Sequence, residues 1–109
     1  MEQIDIHKAL DYIRDNAKPY AIAKANMVYM TEYRKTIKAE LMAKSTEKTE
    51  SAKETAAYSH PAYKKHLEAL YEAVVEHERI RWLLVAAEAK IGVWRSLEAS
   101  TRIEVKSTV

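Results

Sequence analysis

Three of the four histidines in this 109-residue chain, His60, His66 and His77, stand near enough in sequence to raise the question of a metal or a proton carrier. Their spacing argues against a shared site. Two helical ligands of one ion must lie three or four residues apart, whereas these are six and eleven apart, and the chain has no His-x-x-x-His or Glu-x-x-His string. They read as surface or seam histidines. Glu68/Glu72 and Glu72/Glu76 share a helix face at i,i+4, as a general acid and its base would, but Lys64, Lys65 and Arg79 surround them. A solvated lace of charge is the expected role. There is no cysteine, hence no thiolate nucleophile, no zinc site of the cysteine type and no disulfide framework. Nucleophile, metal and phosphate-loop motifs are absent, so the expectation is no enzyme, no catalytic residue, no metal and no cofactor.

Binding chemistry is better represented. Between Lys18 and Lys44 stand Lys18, Lys24, Arg34, Lys35, Lys38 and Lys44 against only Glu32 and Glu40, while Glu2, Asp5, Asp11 and Asp15 make the preceding segment acidic. On a helical projection Lys24, Lys35 and Lys38 fall within about 60° of one another. With Arg34, and with Tyr20 and Tyr29 as stacking platforms, they form a candidate phosphate-contacting strip for nucleic acid. An ordinary solvated face is the competing reading, since a net charge of +2 does not by itself announce a nucleic-acid binder. His77, Glu78 and Arg81 make a second polar cluster. It either fixes register as a polar seam residue does or lies exposed with the Arg81 stem over Trp82.

The elements that position these groups are helical. After His60-Pro61 the chain runs about forty-five residues to Val105 without proline and with one glycine, Gly92, which predicts one helix of roughly 65 Å. One Gly, two Pro and an Ala/Glu/Lys-rich composition predict an all-α fold, a long antiparallel helical hairpin with coiled-coil-like packing. One domain is expected, with a first arm over about 3–43, a connector over 44–60 and a second arm over 61–105. Pro19 either kinks the first arm or starts a separate helix there. The polar stretch 44–57 reads as a mobile connector or a frayed helical extension, and Ser59-His60-Pro61 as a helix start with a cap before a first-turn proline.

The apolar stripes are read as Ile6, Leu10, Ile13 and Ala17, then Ile22, Asn26, Met30, Tyr33, Ile37 and Leu41, and finally Tyr63, Leu67, Leu70, Tyr71 and Val74. Matching lengths set Leu41 near Tyr63, Ile37 near Leu67, Tyr33 near Tyr71 and Met30 near Val74. From Ile80 the helix is apolar on two sides. Ile80, Leu84, Ala87, Ile91 and Trp94 form one face, and Trp82, Val85, Ala89 and Gly92 the opposite one. The second face predicts a homo-oligomer, a dimer or higher, with Ala89 and Gly92 admitting a neighbouring backbone. No run approaches a membrane span, and the opening Met1-Glu2-Gln3-Ile4-Asp5 lacks a signal-peptide pattern, so a cytoplasmic protein without membrane contact is expected.

The strings Tyr20-Ala-Ile-Ala-Lys-Ala, Val28-Tyr-Met-Thr-Glu-Tyr-Arg-Lys, Tyr58-Ser-His-Pro-Ala-Tyr and Arg81-Trp-Leu-Leu-Val-Ala-Ala-Glu-Ala-Lys-Ile-Gly-Val-Trp-Arg-Ser together resemble a family of small helical proteins of tailed bacteriophages and prophages. The resemblance spans roughly Asp11 to Arg102. It implies a phage gene, often placed among early replication and recombination genes, and a host-cytoplasm location, but no activity and no site residues. The expected function is a non-enzymatic accessory protein that assists DNA replication or recombination by binding nucleic acid or a phage or host DNA-metabolism protein. The alternative is a counter-defence or host-takeover factor that inhibits a host nuclease or other host protein. A virion component is less favoured.

Overall fold

The computed structural model describes residues 3–108 and, among them, contains only helices: α1 (Ile6–Lys44), α2 (Glu50–Ser59) and α3 (Pro61–Thr108). The protein is the all-α helical hairpin that its composition predicts. Asp5 starts α1 by accepting the Lys8 amide on its carboxylate at 3.1 Å and the Ala9 amide on its carbonyl at 3.2 Å. Pro19 lies inside α1, which continues through it, so no separate N-terminal helix forms.

The connector is shorter than the polar composition of 44–60 suggests. Only Ser45–Thr49 and His60 are non-helical, and Thr49 caps α2 by accepting the Ala52 amide at 3.1 Å. Residues 50–59 form a helix because one side of it is covered: Ala57 is 1 % exposed, and Ala52, Lys53 and Ala56 are half-buried. The second arm therefore begins at Glu50. His60 joins α2 to α3, its extended ψ of 138° being the geometry that a following proline favours. Its amide donates to the Ala57 carbonyl, its carbonyl accepts from Tyr63 and Lys64, and its Nδ1 accepts from Ala62 at 3.0 Å. Pro61 has no amide to satisfy, so one residue serves the whole first turn of α3.

The chain forms two compact units, one of Ala21–Glu78 and one combining the residues up to Tyr20 with those from Arg79 onward. In the Ala21–Glu78 unit, His66 Nε2 lies 2.7 Å from the Met30 carbonyl oxygen and its ring is 5.9 Å from that of Tyr33. Met30 and Tyr33 thus meet His66 rather than Val74 and Tyr71. The register is displaced because the hairpin closes at Ser45–Thr49, at the start of the expected connector rather than at its middle. Nor is the competing register, with the first helix running on to Ala57, adopted. Closer to the turn, Lys38 reaches α2, with Nζ 4.7 Å from the Tyr58 ring centroid and 3.5 Å from Glu54.

Along α3 the covered positions run Tyr63, His66, Leu70, Ala73, His77, Ile80, Leu84, Ala87, Ile91 and Trp94, all buried or half-buried. The alternating steps of three and four are those of a coiled-coil seam. From Ile80 onward this is the expected face. Before it the stripe differs, since Leu67, Tyr71 and Val74 are exposed while His66, Ala73 and His77 turn inward. On α1, Ile6, Ile13, Met30, Tyr33, Ile37 and Leu41 are half-buried as expected. Leu10 (49 % exposed), Ala17, Ile22 (50 %) and Asn26 instead face outward, and Ala9, Asn16, Ala23 and Met27 take their places. Alanine at the tightest positions lets two backbones approach closely, and the larger aliphatic side chains are displaced to the flanks.

Candidate functional site

The side of α3 opposite its seam carries the clearest candidate surface. Trp82 is 59 % exposed, Val85, Ala89 and Gly92 are exposed with it, and all four lie in the unit that contains the start of α1. The Arg81 guanidinium lies 4.7 Å from the Trp82 ring centroid, covering one side of the indole with a delocalised cation. Arg81 is half-buried with its guanidinium, not its stem, over Trp82, and His77 is a buried seam residue whose Nδ1 is 3.7 Å from Glu78. A Cβ built on Gly92 meets nothing within 4 Å, so nothing in this chain requires glycine there. Ser96 continues the face, and its hydroxyl donates back to the Gly92 carbonyl at 3.3 Å, which lowers its demand for water.

A second uncovered stripe was not apparent from the sequence alone. Leu83, Ala86, Lys90, Val93 and Leu97 line one wall of an open groove of about 770 Å³, and Ile4, Lys8, Ala9 and Tyr12 line the other. The steps 83, 86, 90, 93, 97 again alternate three and four, and that spacing was the available signal. Between its seam, this groove wall and the Trp82 face, the Trp82–Leu97 stretch of α3 is apolar on most of its circumference. Its main polar line is Glu88 and Arg95, seven residues apart, which continues from Arg81 just before the stretch. Such a helix is ordinarily covered on more than one side.

The basic strip is less coherent. Lys24 and Arg34 are exposed, and Lys35 is exposed but 3.5 Å from Glu32. Lys38 is turned into the hairpin, where its hydrogen bond to Tyr58 raises its pKa above the ordinary lysine value, with Glu54 adding to the shift and partial desolvation opposing it. Tyr29 is 66 % exposed but stacks on Tyr33, centroids 5.6 Å apart at 12°, and Tyr20 is a half-buried seam residue. Thus Lys24, Arg34 and Lys35 remain outward-facing, while Lys38 and Tyr20 serve packing.

Among the described residues no cluster of three or more His, Cys, Asp or Glu side chains could hold a metal ion, and no helix is long and apolar enough to cross a membrane. His60 is a cap and His66 a seam hydrogen-bonding residue. No protein family, curated protein or solved structure matches this chain.

Proposed function

We propose that this protein is a non-catalytic accessory factor of phage DNA metabolism that works by docking proteins along its hairpin, in the host cytoplasm. The observation that carries the contact reading is the exposed apolar face of α3 around Trp82 and Val85, which lies beside a second apolar groove. Exposed apolar surface of this extent supports protein association, because leaving it in water is unfavourable. Phage origin and the link to replication or recombination rest on the resemblance of the four sequence strings. The protein-docking form is favoured over direct DNA binding because Lys38 and Tyr20 are engaged in packing, which leaves too few cations in one strip for tight phosphate binding.

The test is capture by the tagged chain from phage-infected cells, with and without nuclease treatment, alongside DNA titrations at low and physiological salt. Replication or recombination proteins retained after nuclease treatment, and lost with Val85→Glu/Ala89→Glu, support the reading. Salt-sensitive DNA binding lost on changing Lys24, Arg34 and Lys35 to Glu would replace it with the nucleic-acid form. Retention of a host nuclease whose activity falls on binding would replace it with the host-takeover form.

A further inference from the structure

We propose that the joint between α2 and α3 carries a proton-operated clasp: the neutral His60 ring holds the first turn of α3, and the protonated ring releases it. The grip is a single bond. The Ala62 amide donates to His60 Nδ1 at 3.0 Å, so this nitrogen must offer a lone pair and the neutral ring must carry its hydrogen on Nε2. A second ring proton then has only Nδ1 to go to. Both ring nitrogens become donors, and an N–H cannot accept the Ala62 amide.

Two helix ends of opposite sign meet at this residue, since α2 stops before His60 and α3 begins after it. The start of α3 presents free amides and the positive end of its dipole, which suits an acceptor and repels a cation. The close of α2 presents carbonyls and the negative end, which suits a cation. Donors already gather there. The His60 amide donates to the Ala57 carbonyl at 3.2 Å, and the Ser59 hydroxyl to the carbonyls of Thr55 and Ala56 at 2.9 and 3.3 Å. Protonation therefore reverses which of the two ends the ring fits.

The ring is free to respond. His60 is exposed and, among the described residues, its ring makes no ion pair and no hydrogen bond besides that to Ala62. The charged and titratable groups about the joint are Lys38 on α1, Glu54 and Tyr58 on α2, and Tyr63 and Lys64 on α3. Lys38 lies over the Tyr58 ring and 3.5 Å from Glu54, and Tyr58 meets Tyr63 edge-on at 5.2 Å. Lys64 adds a cation to the start of α3, where a second one is unwelcome. The amides of Tyr63 and Lys64 stay on the His60 carbonyl, and the Tyr58–Tyr63 contact still bridges the joint. What opens in acid is the Ala62 clasp, not the whole arm.

NMR of the full chain reads the clasp at about pH 8 and about pH 5, the limits between which histidine changes charge. Amide solvent-exchange rates, each divided by the intrinsic rate at that pH, give the protection of Ala62, and ring nitrogen shifts give the tautomer. At the higher pH the His60 ring should carry its hydrogen on Nε2, with Ala62 protected. At the lower pH that protection should fall about fivefold, the factor to which a cap of about 1 kcal/mol corresponds, while Tyr63 and Lys64 keep theirs. His60→Asn, whose side-chain oxygen accepts at either pH, should keep Ala62 protected at both, and His60→Ala should leave it open at both. A neutral ring with its hydrogen on Nδ1, or equal Ala62 protection at the two pH values in the unmodified chain, would overturn the proposal. So would the same acid loss in His60→Asn, or an Ala62 amide still protected in His60→Ala.

Discussion

Replacing His60 by alanine probes the joint on which the second arm depends. The first turn of α3 offers three amides, because Pro61 has none, and His60 accepts all three: Tyr63 and Lys64 on its carbonyl and Ala62 on Nδ1. Alanine keeps the carbonyl and removes only the ring nitrogen, so one amide loses its protein partner. Loss of a side-chain N-cap costs about 1 kcal/mol. For a chain of this size that corresponds to a fall in melting temperature of about 4 °C. His60→Asn and His60→Asp place an oxygen acceptor near the same amide and should recover most of the loss, with Asp also favoured by the helix dipole. Circular dichroism melts and urea titrations at one fixed protein concentration measure this, and an unchanged denaturant slope would assign the effect to stability. A His60→Ala protein as stable as the original, or an Asn variant no better than Ala, would show that the Nδ1 bond contributes nothing to the joint.

Three further outcomes follow from the packing. Ile80→Ala, at a side chain 3 % exposed, should lose about 2–4 kcal/mol, and Ala23→Leu should lose about 1–3 kcal/mol by overpacking, while Ile22→Ser should stay within about 0.5 kcal/mol of the parent in urea titrations. Equal losses at Ile22 and Ala23 would place the wrong face of α1 inward. Trypsin should cut first at Lys44 or Lys48, at the edge of and within the non-helical Ser45–Thr49 segment, and more slowly at Lys53 inside α2; mass spectrometry of the first fragments decides. Lys38 has a folded pKa raised above its unfolded value of 10.5, so the stabilisation it gives is fully present below that pH and is lost as pH rises through the folded value. Lys38→Met should therefore show a smaller drop in stability above about pH 10.5 than the parent in denaturant titrations at stepped pH.

Much of the architecture was legible in local properties of the chain. Helix was predictable because one glycine, two prolines and an Ala/Glu/Lys-rich composition leave few alternatives, and the start of α3 because Ser59-His60-Pro61 sets a potential cap before a proline that needs no amide partner. The Ile80–Trp94 seam was also readable, since large apolar residues mark each of its steps except Ala87. That the opposite face of the stretch, with Trp82 and Val85, is apolar was legible for the same reason, and both side chains are exposed.

What tertiary structure decided was the phase of the seam elsewhere and the point at which the hairpin closes. A docked helix carries one phase along its length, so the Ile80–Trp94 seam propagates back through His77, Ala73, Leu70 and His66 and leaves the larger Leu67 and Tyr71 outside. Residue-by-residue hydrophobicity ranks those pairs the other way. In the same manner α2 is helical because Ala57 finds a covered position and Lys38 reaches across to Tyr58 and Glu54, contacts invisible in a polar Ser/Thr/Glu/Lys string. Composition and spacing determined that this chain is a pair of long helical arms with an apolar face to spare. The choice of inward residues depended on close contact between backbones, where an alanine fits and a leucine does not, and that is a property of two helices together rather than of either sequence stretch alone.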